Sequence, residues 1–227
     1  MDIGYFNARV RGQRGRLFRA ADYEMFLRAS SEAEYRERLK ATPYARHVDI
    51  AEARMTSAAD VIASAVGSNA ADTFKFLWET APDNARRLLK TLFSKWEVHN
   101  LKALIRGFAK DVKREDIRGA MAPAGEFNQT ALNALLGAKD LADAVRLLET
   151  WGSPYAAAFR DVPLDRHINT FELELRLDSF VYGWLQSTVK GSSSSAVIIR
   201  EMLLSGIDAQ NIMTLVKTAG KGFSKET

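Results

Sequence analysis

The chain has 227 residues, 47% of them hydrophobic, which is enough to bury a core in one or two domains. It contains no cysteine, which excludes disulfide bonds, zinc–thiolate sites and thiol catalysis. The net charge of +4 comes entirely from residues 1–20, which hold five arginines and one aspartate. Only one short arm is therefore basic, whereas a nucleic-acid-binding protein usually spreads lysine and arginine over a whole face.

Apolar residues recur at helical spacing along nearly the whole chain, and valine and isoleucine form no alternating runs. The prolines stand mostly where helices begin or break. The sequence therefore predicts an all-α fold. The predicted helices lie near residues 3–19, 22–28, 32–40, 43–48, 51–66, 70–80, 83–93, 96–110, 129–137, 140–150, 154–160, 165–187, 195–205 and 208–218.

The first predicted helix is an amphipathic arm rich in arginine. At 100° per residue it has an apolar stripe, two flanking pairs of arginines, and a face of small residues. These sets are Ile3, Phe6, Val10 and Leu17; Arg9 with Arg16 and Arg11 with Arg14; and Gly4, Ala8, Gly12 and Gly15. The small face predicts close approach of a neighbouring backbone, because each glycine costs a helix roughly 1 kcal/mol relative to alanine. Two interpretations stay open: a docking helix whose arginines pair with carboxylates of a partner, and a core helix with solvated arginines.

Several helix starts carry capping signals. Ser31 with Glu34 predicts a capping box. Thr42 and Ser153 each precede a proline, the pattern of a cap followed by proline at the first helical position. Asp208 is predicted to cap the last helix.

Two segments without helical periodicity predict the domain organisation. Residues 191–195, one glycine and four serines, predict a flexible connector. Residues 112–127 carry charges, a proline and a glycine, and predict a module boundary. We therefore expect a first helical module at residues 1–115, including the arm, and a second at 116–227, with a polar tail from about residue 219.

The chain repeats part of itself at a fixed offset. The matching blocks are Pro43-Tyr44-Ala45 with Pro154-Tyr155-Ala156, and residues 97–106 with 208–217. An upstream stretch matches at a slightly shorter offset, pairing Phe26, Leu27, Ala29 and Leu39 with Leu135, Leu136, Ala138 and Leu148. Separate blocks that share one offset indicate an internal duplication, which is typical of a scaffold built from similar modules. On its own, a helical unit of this kind buries only one of its faces, and it needs neighbouring units to bury the others.

No set of residues has the spacing of a catalytic or metal site. His47, His99 and His167 lie far apart, and none shares a helical turn with a second ligand. The segment around Gly220 and Lys221 lacks the spacing and the preceding strand of a phosphate-binding loop. The serines at 192–195 have no nearby histidine, which favours a linker over a nucleophile.

Three further groups of polar residues are predicted to be structural. Glu174 and Asp178 share a helical face, and a solvated face or an ion pair is favoured over an acid–base pair. Asn100 and Asn211 occupy equivalent places, predicted to lie just inside the start of an apolar helix, where asparagine serves as a cap or linker. Tyr44 and Tyr155 are predicted to be core residues whose hydroxyls reach a partner.

The opening segment from Tyr5 to Arg14 resembles the N-terminal signature of the C subunit of archaeal and bacterial V/A-type ATP synthases, a relative of the d subunit of the eukaryotic V-type ATPase. Further segments match in the family's order: Asp22-Tyr23, Thr42-Pro43-Tyr44, Asn100-Leu101-Lys102 with Arg106, Pro123 with Gly125, Ser153-Pro154-Tyr155, Leu177-Asp178 with Tyr182, and Ile207-Asp208 with Asn211-Ile212. The structural motif positions that this resemblance marks are Asn7, Tyr44, Asn100, Arg106, Tyr155, Asp178, Tyr182, Asp208 and Asn211.

The resemblance implies a non-catalytic coupling subunit of a proton- or sodium-translocating rotary ATPase. Family members form a funnel of three similar helical modules around a pseudo-threefold axis. The funnel sits on the membrane rotor ring and receives the central shaft, made by subunits D and F. For this chain we expect two of the three modules, a cytoplasmic location peripheral to the membrane, no transmembrane segment, and no cofactor, metal, small-molecule substrate or nucleic acid. Arg9, Arg11, Arg14 and Arg16 are the candidate partner-binding residues.

Two other functions stay open on the residues alone. The chain has the composition of a general helical protein–protein adaptor. A nucleic-acid-binding module that uses the arginine arm is the weaker alternative, since the arm offers about five charges for phosphate contacts. An enzyme is the least supported class, because every candidate site fails on spacing or context.

Overall fold

The computed structural model describes residues 2–164, 169–189 and 194–218. In these ranges the regular secondary structure is helical, apart from one isolated bridge between Ala124 and Phe127, so the all-α prediction is confirmed. The helices are α1 (Ile3–Arg14), α2 (Ala20–Leu27), α3 (Glu32–Lys40), α4 (Ala45–Glu52), α5 (Ala58–Thr80), α6 (Asp83–Ala109), α7 (Arg114–Gly119), α8 (Gln129–Leu136), α9 (Leu141–Thr150), a 3-10 helix (Pro154–Phe159), α10 (Thr170–Thr188) and α11 (Ser194–Thr218).

In three places two predicted helices join in one long helix, although α5 begins at Ala58 and the predicted start of its first part at residue 51 is wrong. The predicted breaks near residues 67–69, 94–95 and 206–207 fall inside α5, α6 and α11. Small and polar residues lower helix propensity there, but none of these stretches holds a proline, and tertiary packing overrides the weak preference. The predictions that Asp208 caps a helix and that Asn100 and Asn211 lie near helix starts are therefore wrong. All three residues are interior helical residues.

Other boundaries differ for local reasons. α1 ends at Arg14, where the Gly15 amide bonds back to Arg11, so the predicted extension to residue 19 is wrong. The segment predicted as a helix from residue 154 forms a 3-10 helix with Pro154 at its first position. The short helix α7 lies inside the stretch predicted as a module boundary.

Of the capping box predicted before α3, the Ser31 cap is confirmed, whereas the Glu34 carboxylate bonds Ser30 and not the Ser31 amide. The Ser31 hydroxyl accepts a hydrogen bond from the Glu34 amide at 3.1 Å. The Glu34 carboxylate reaches back to Ser30, accepting from its amide at 2.7 Å and its hydroxyl at 2.6 Å. These bonds, with the help of Arg38, lower the pKa of Glu34 from its ordinary value of 4.5 to about 2.

The helices recur at the offsets found in the sequence. α2 and α3 are equivalent to α8 and α9, which begin at the shorter, upstream offset. α5 and α6 are equivalent to α10 and α11. The first residues of the equivalent helices differ by the same offset as Pro43 and Pro154, to within one residue. Each series consists of short helices followed by two long ones, which supports the inference of an internal duplication. We call the two series the first and the second repeat.

The chain divides into two compact units. The first comprises Met1–Arg86 and Ala122–Gln129, and the second comprises Arg87–Met121 and Thr130–Thr227. The core of the first unit contains Phe26, Leu39, Val48, Ala51, Val61 and Ala65. In the second unit, one face of α10 is buried through Leu173, Leu177, Val181 and Leu185. Most of α6 belongs to the second unit, although α6 is the last long helix of the first repeat. The two compact units therefore do not coincide with the two repeats, and the module boundary between residues 115 and 116 stays a prediction.

Candidate partner-binding surface

The arginine arm forms a short helix with one firmly packed apolar residue. Asp2 caps α1 by accepting a hydrogen bond from the Gly4 amide at 3.2 Å. Phe6 is buried, whereas Ile3 and Leu17 of the predicted apolar stripe are exposed by 43% and 66%. The stripe is incomplete because the helix ends at Arg14, before Leu17.

The four candidate arginines divide into one packed and three exposed side chains. The Arg9 guanidinium lies over the Phe76 ring, 4.5 Å from its centroid, and 5.7 Å from that of Tyr5. Arg11, Arg14 and Arg16 are exposed and make no ion pair with any residue that the structure describes. We call these three residues the arginine face.

The predicted reason for the glycines of the arm is wrong. A Cβ atom at Gly12 would meet nothing within 4 Å, and one at Gly15 would touch only the Gly12 carbonyl oxygen. No neighbouring backbone therefore approaches the described part of the arm at these positions. Arg11 and Arg14 lie in the last turn of α1, where positive charge is favoured by the helix dipole.

The two repeated tyrosines differ in burial. Tyr155 is fully buried, and its hydroxyl donates a hydrogen bond to the Glu97 carboxylate, which is also fully buried. This bond connects the 3-10 helix with α6. Tyr44 is half-buried against Phe18, 5.2 Å between ring centroids, and burial is the main cause that raises its pKa. The prediction of a core tyrosine with a bonded hydroxyl is confirmed at Tyr155.

The charged motif residues form structural ion pairs within the second unit. Lys102 Nζ lies 2.6 Å from Asp178 Oδ2, and both side chains are mostly shielded from solvent. Arg106 donates two hydrogen bonds of 2.5 Å to the two carboxylate oxygens of Glu174, the bidentate geometry of a strong pair. The interpretation of this carboxylate face as an ion-pair face is confirmed. Burial, followed by the nearby Asp178, raises the pKa of Tyr182.

The remaining motif residues divide between core and surface. Asn100 is fully buried in the middle of α6. Asn7 on α1, and Asp208 and Asn211 on α11, are exposed. Sequence reasoning missed Glu97 as the acceptor of the buried tyrosine bond. The available signal was that both repeats carry an acidic residue at this position, Glu97 and Asp208.

No catalytic or metal-binding constellation appears in the described part of the chain. His47 Nε2 lies 3.0 Å from Asp72 Oδ2, and His99 Nε2 lies 2.7 Å from the Ala120 carbonyl oxygen. No group of three or more histidine, aspartate or glutamate residues there has metal-binding geometry. His167 and the segment around Gly220 and Lys221 lie outside the described residues, as do residues 191–193 of the predicted connector, whose last two serines begin α11.

Among the described helices, none combines the length and the apolar composition that crossing a bilayer requires.

Comparison with known proteins gives one consistent family. The family model described as "ATP synthase (C/AC39) subunit" matches residues 6–227. The chain is 26% identical over 226 residues to the A-type ATP synthase C subunit of Methanocaldococcus jannaschii, covering 98% of this chain and 55% of the relative. It is 27% identical over 227 residues to the A-type ATP synthase C subunit of Haloferax volcanii, covering 96% and 62%. It is 28% identical over 212 residues to the V-type ATP synthase C subunit of Deinococcus radiodurans, covering 88% and 57%. The matched part of the chain thus spans little more than half the length of these relatives.

Proposed function

Because the chain belongs to the ATP synthase C/AC39 subunit family, we propose that it is a non-catalytic coupling subunit of a rotary V/A-type ATPase or ATP synthase. In this role it links the central shaft, made by subunits D and F, to the membrane rotor ring. The observation that carries the proposal is the family match over residues 6–227. Its location would be cytoplasmic and peripheral to the membrane, held there by the complex.

A coupling subunit must transmit torque without deforming. Long packed helices suit this task, because close-packed interiors resist deformation. α6 contains 27 residues, and its middle is buried at successive turns through Glu97, Leu101, Leu104 and Ile105. The Lys102–Asp178 and Arg106–Glu174 pairs add directional contacts between α6 and α10 in the second unit.

The arginine face is the proposed charged contact with a shaft or ring subunit. Arg11, Arg14 and Arg16 present three positive charges at the end of α1 and in the turn that follows it, and they make no ion pair with a described residue. Charge complementarity across an interface accelerates association and fixes register more than it adds affinity. We leave Arg9 out of the arginine face because its guanidinium already packs on Phe76, so that its role in partner binding stays a prediction.

The test is a double charge reversal. The Arg11→Glu/Arg14→Glu variant is compared with Arg46→Glu/Arg54→Glu, which changes the charge equally at two other exposed arginines of the first unit. Binding of the purified chain to the co-expressed D–F shaft and to the detergent-solubilised ring is measured by isothermal titration calorimetry at low and at raised NaCl concentration. We expect the first variant to bind at least about tenfold more weakly at low salt, because two favourable pairs become repulsive.

The control variant should bind within about threefold of the wild type. Failure of the wild-type chain to bind either partner would contradict the coupling role. Equal affinities of the two variants would contradict the assignment of the arginine face while leaving the coupling role intact. Duplex and single-stranded DNA serve as probes for the nucleic-acid alternative, and we expect no binding at about 150 mM salt.

A further inference from the structure

The two long helices of the first repeat meet at a two-residue junction. Only Ala81 and Pro82 separate the last residue of α5 from the first residue of α6. Ala81 is buried and extended, with φ −71° and ψ 132°, which is the conformation that a following proline favours. We call this junction, residues 78–86, the first elbow. The chain first passes from the first compact unit to the second directly after it, between Arg86 and the next residue.

Pro82 leaves one carbonyl at the end of α5 without its helical donor. In a continuous helix the Trp78 carbonyl would accept from the amide of residue 82, but proline has no N–H. The Arg86 side chain takes the place of that donor. Its Nε donates to the Trp78 carbonyl at 3.3 Å, and its Nη2 donates to the Ala81 carbonyl at 3.0 Å. One side chain thus binds two carbonyls at a helix end, where backbone acceptors lack helical partners.

The chemistry of the guanidinium suits this position. Its planar fork presents several N–H donors in fixed directions, and its positive charge lies at the carboxyl end of α5, where the helix dipole favours it. The Arg86 guanidinium also lies 5.8 Å from the centroid of the Trp78 ring. Its ion pair with Asp83, at 3.4 Å, adds little, because Asp83 is almost fully exposed. The bonds to the carbonyls therefore hold the side chain in place.

The second repeat has the same kind of contact at the junction of its own long helices, which we call the second elbow. Val189, the C-cap of α10, is 4% exposed, as Ala81, the C-cap of α5, is 3% exposed. The Val189 carbonyl accepts a hydrogen bond of 3.3 Å from Nη2 of Arg200 on α11. The duplication does not relate the two arginines, since its offset pairs Arg86 with Val197. The contact therefore recurs for a structural reason, and not because one arginine was copied.

We propose that Arg86 and Arg200 are clasps that limit bending at the first and the second elbow. Each clasp ties the second long helix of a repeat to the buried C-cap residue of the first. An elbow bends by rotation about a few backbone bonds, and the clasp opposes this rotation because hydrogen bonds are directional. In the proposed coupling role the clasps set how stiffly each repeat transmits torque, but the clasps themselves do not depend on that role.

The experiment measures the width of the distance distribution across each elbow by pulsed electron–electron double resonance. The chain has no cysteine, so spin labels attach only where cysteines are introduced. One label pair, Ser68→Cys with Lys95→Cys, spans the first elbow, and the other, Ser179→Cys with Ser205→Cys, spans the second. All four residues are exposed. The full chain is used throughout, and circular dichroism checks that every variant keeps its helix content.

Each clasp should act on its own elbow alone. We expect Arg86→Ala to broaden the distribution across the first elbow at least about 1.5-fold and to leave the second unchanged. Arg200→Ala should do the reverse. A general loss of stability would not produce this reciprocal pattern, because the chains that stay folded keep the same distances. Unchanged widths in both variants overturn the proposal, and so does broadening of both elbows by either variant.

Matched variants separate the clasp from its neighbours. Arg87→Ala removes the same charge at the adjacent, exposed residue, and Asp83→Asn removes only the ion pair, so both should keep the wild-type width. Arg86→Lys keeps the charge but loses the planar fork, and it should broaden the first elbow at least about half as much as alanine does. This variant keeps the test decisive if Arg86→Ala does not fold. A wild-type width with lysine, or broadening in either control, overturns the proposal.

Discussion

At the scale of single residues, the pair of Glu97 and Tyr155 is a fully buried polar contact of the second unit. Burying a carboxylate is costly unless hydrogen bonds compensate it. Both side chains are fully buried, and the tyrosine hydroxyl supplies one such bond. The sequence marked Tyr155 through its place in the repeat, but the acceptor lies far away along the chain, on a different helix.

Removing the hydroxyl tests the energetic weight of this bond. We expect Tyr155→Phe to lower the free energy of unfolding by about 1–3 kcal/mol, because it leaves a buried carboxylate short of one donor. The measurement is urea denaturation followed by far-ultraviolet circular dichroism at low micromolar protein concentration.

The matched control for this prediction is Tyr44→Phe. The Tyr44 hydroxyl makes no hydrogen bond in the described part of the chain, so its loss should change the free energy of unfolding by less than about 0.5 kcal/mol. Equal effects of the two variants would show that the Glu97 bond contributes nothing specific to stability.

At the scale of elements, close packing decides where the long helices tolerate a side chain. Gly107 lies near the end of α6, and a Cβ atom there would overlap the side chain of Ile117 on α7, which is itself buried. Gly67 lies in the middle of α5, and a Cβ atom there would meet nothing within 4 Å. The same residue type thus has opposite roles in two helices.

Alanine at the two positions should therefore have opposite effects. We expect Gly107→Ala to lower the free energy of unfolding by about 1–3 kcal/mol, because the buried Ile117 side chain must move to admit the methyl group. We expect Gly67→Ala to raise it by about 0.5–1 kcal/mol, since alanine is the better helix former. Thermal and urea unfolding of both variants check the signs, and a neutral or stabilising Gly107→Ala would contradict the tight contact with α7.

At the scale of the whole molecule, burial differs between residues that the duplication makes equivalent. Leu101 and Leu104 lie in the interior, whereas Ile212 and Leu215 face solvent. Stability is unevenly distributed in proteins, and segments with few buried contacts open most easily. The two long repeated helices should therefore differ in local stability.

Hydrogen–deuterium exchange measures this difference directly. At low micromolar protein concentration, we expect the amides of Leu101 and Leu104 to exchange at least about 100-fold more slowly than those of Ile212 and Leu215. The comparison is internally matched, because the offset of the duplication relates each buried residue to an exposed one with a similar side chain. Similar exchange rates would mean that the face of α11 is covered in solution.

The sequence alone determined the helical class, the internal repeat and several helix starts. Periodicity, the Ser31 cap and the position of Pro154 depend on residues within a turn or two, so local physics suffices to predict them. The candidate arginines were likewise visible in the sequence, but their division into a packed Arg9 and an exposed arginine face was not. That division depends on Phe76, which is remote along the chain.

Only the tertiary structure decided the length of the long helices, the partner of Tyr155 and the contrast between α6 and α11. In α6 the interior position of Asn100 is tolerated because the surrounding face packs against later elements of the chain. In α11 similar residues at equivalent positions remain exposed. The physical reason is that burial requires two surfaces. The hydrophobicity of a residue sets its tendency to be buried, but the residue is buried only where another part of the structure packs against it.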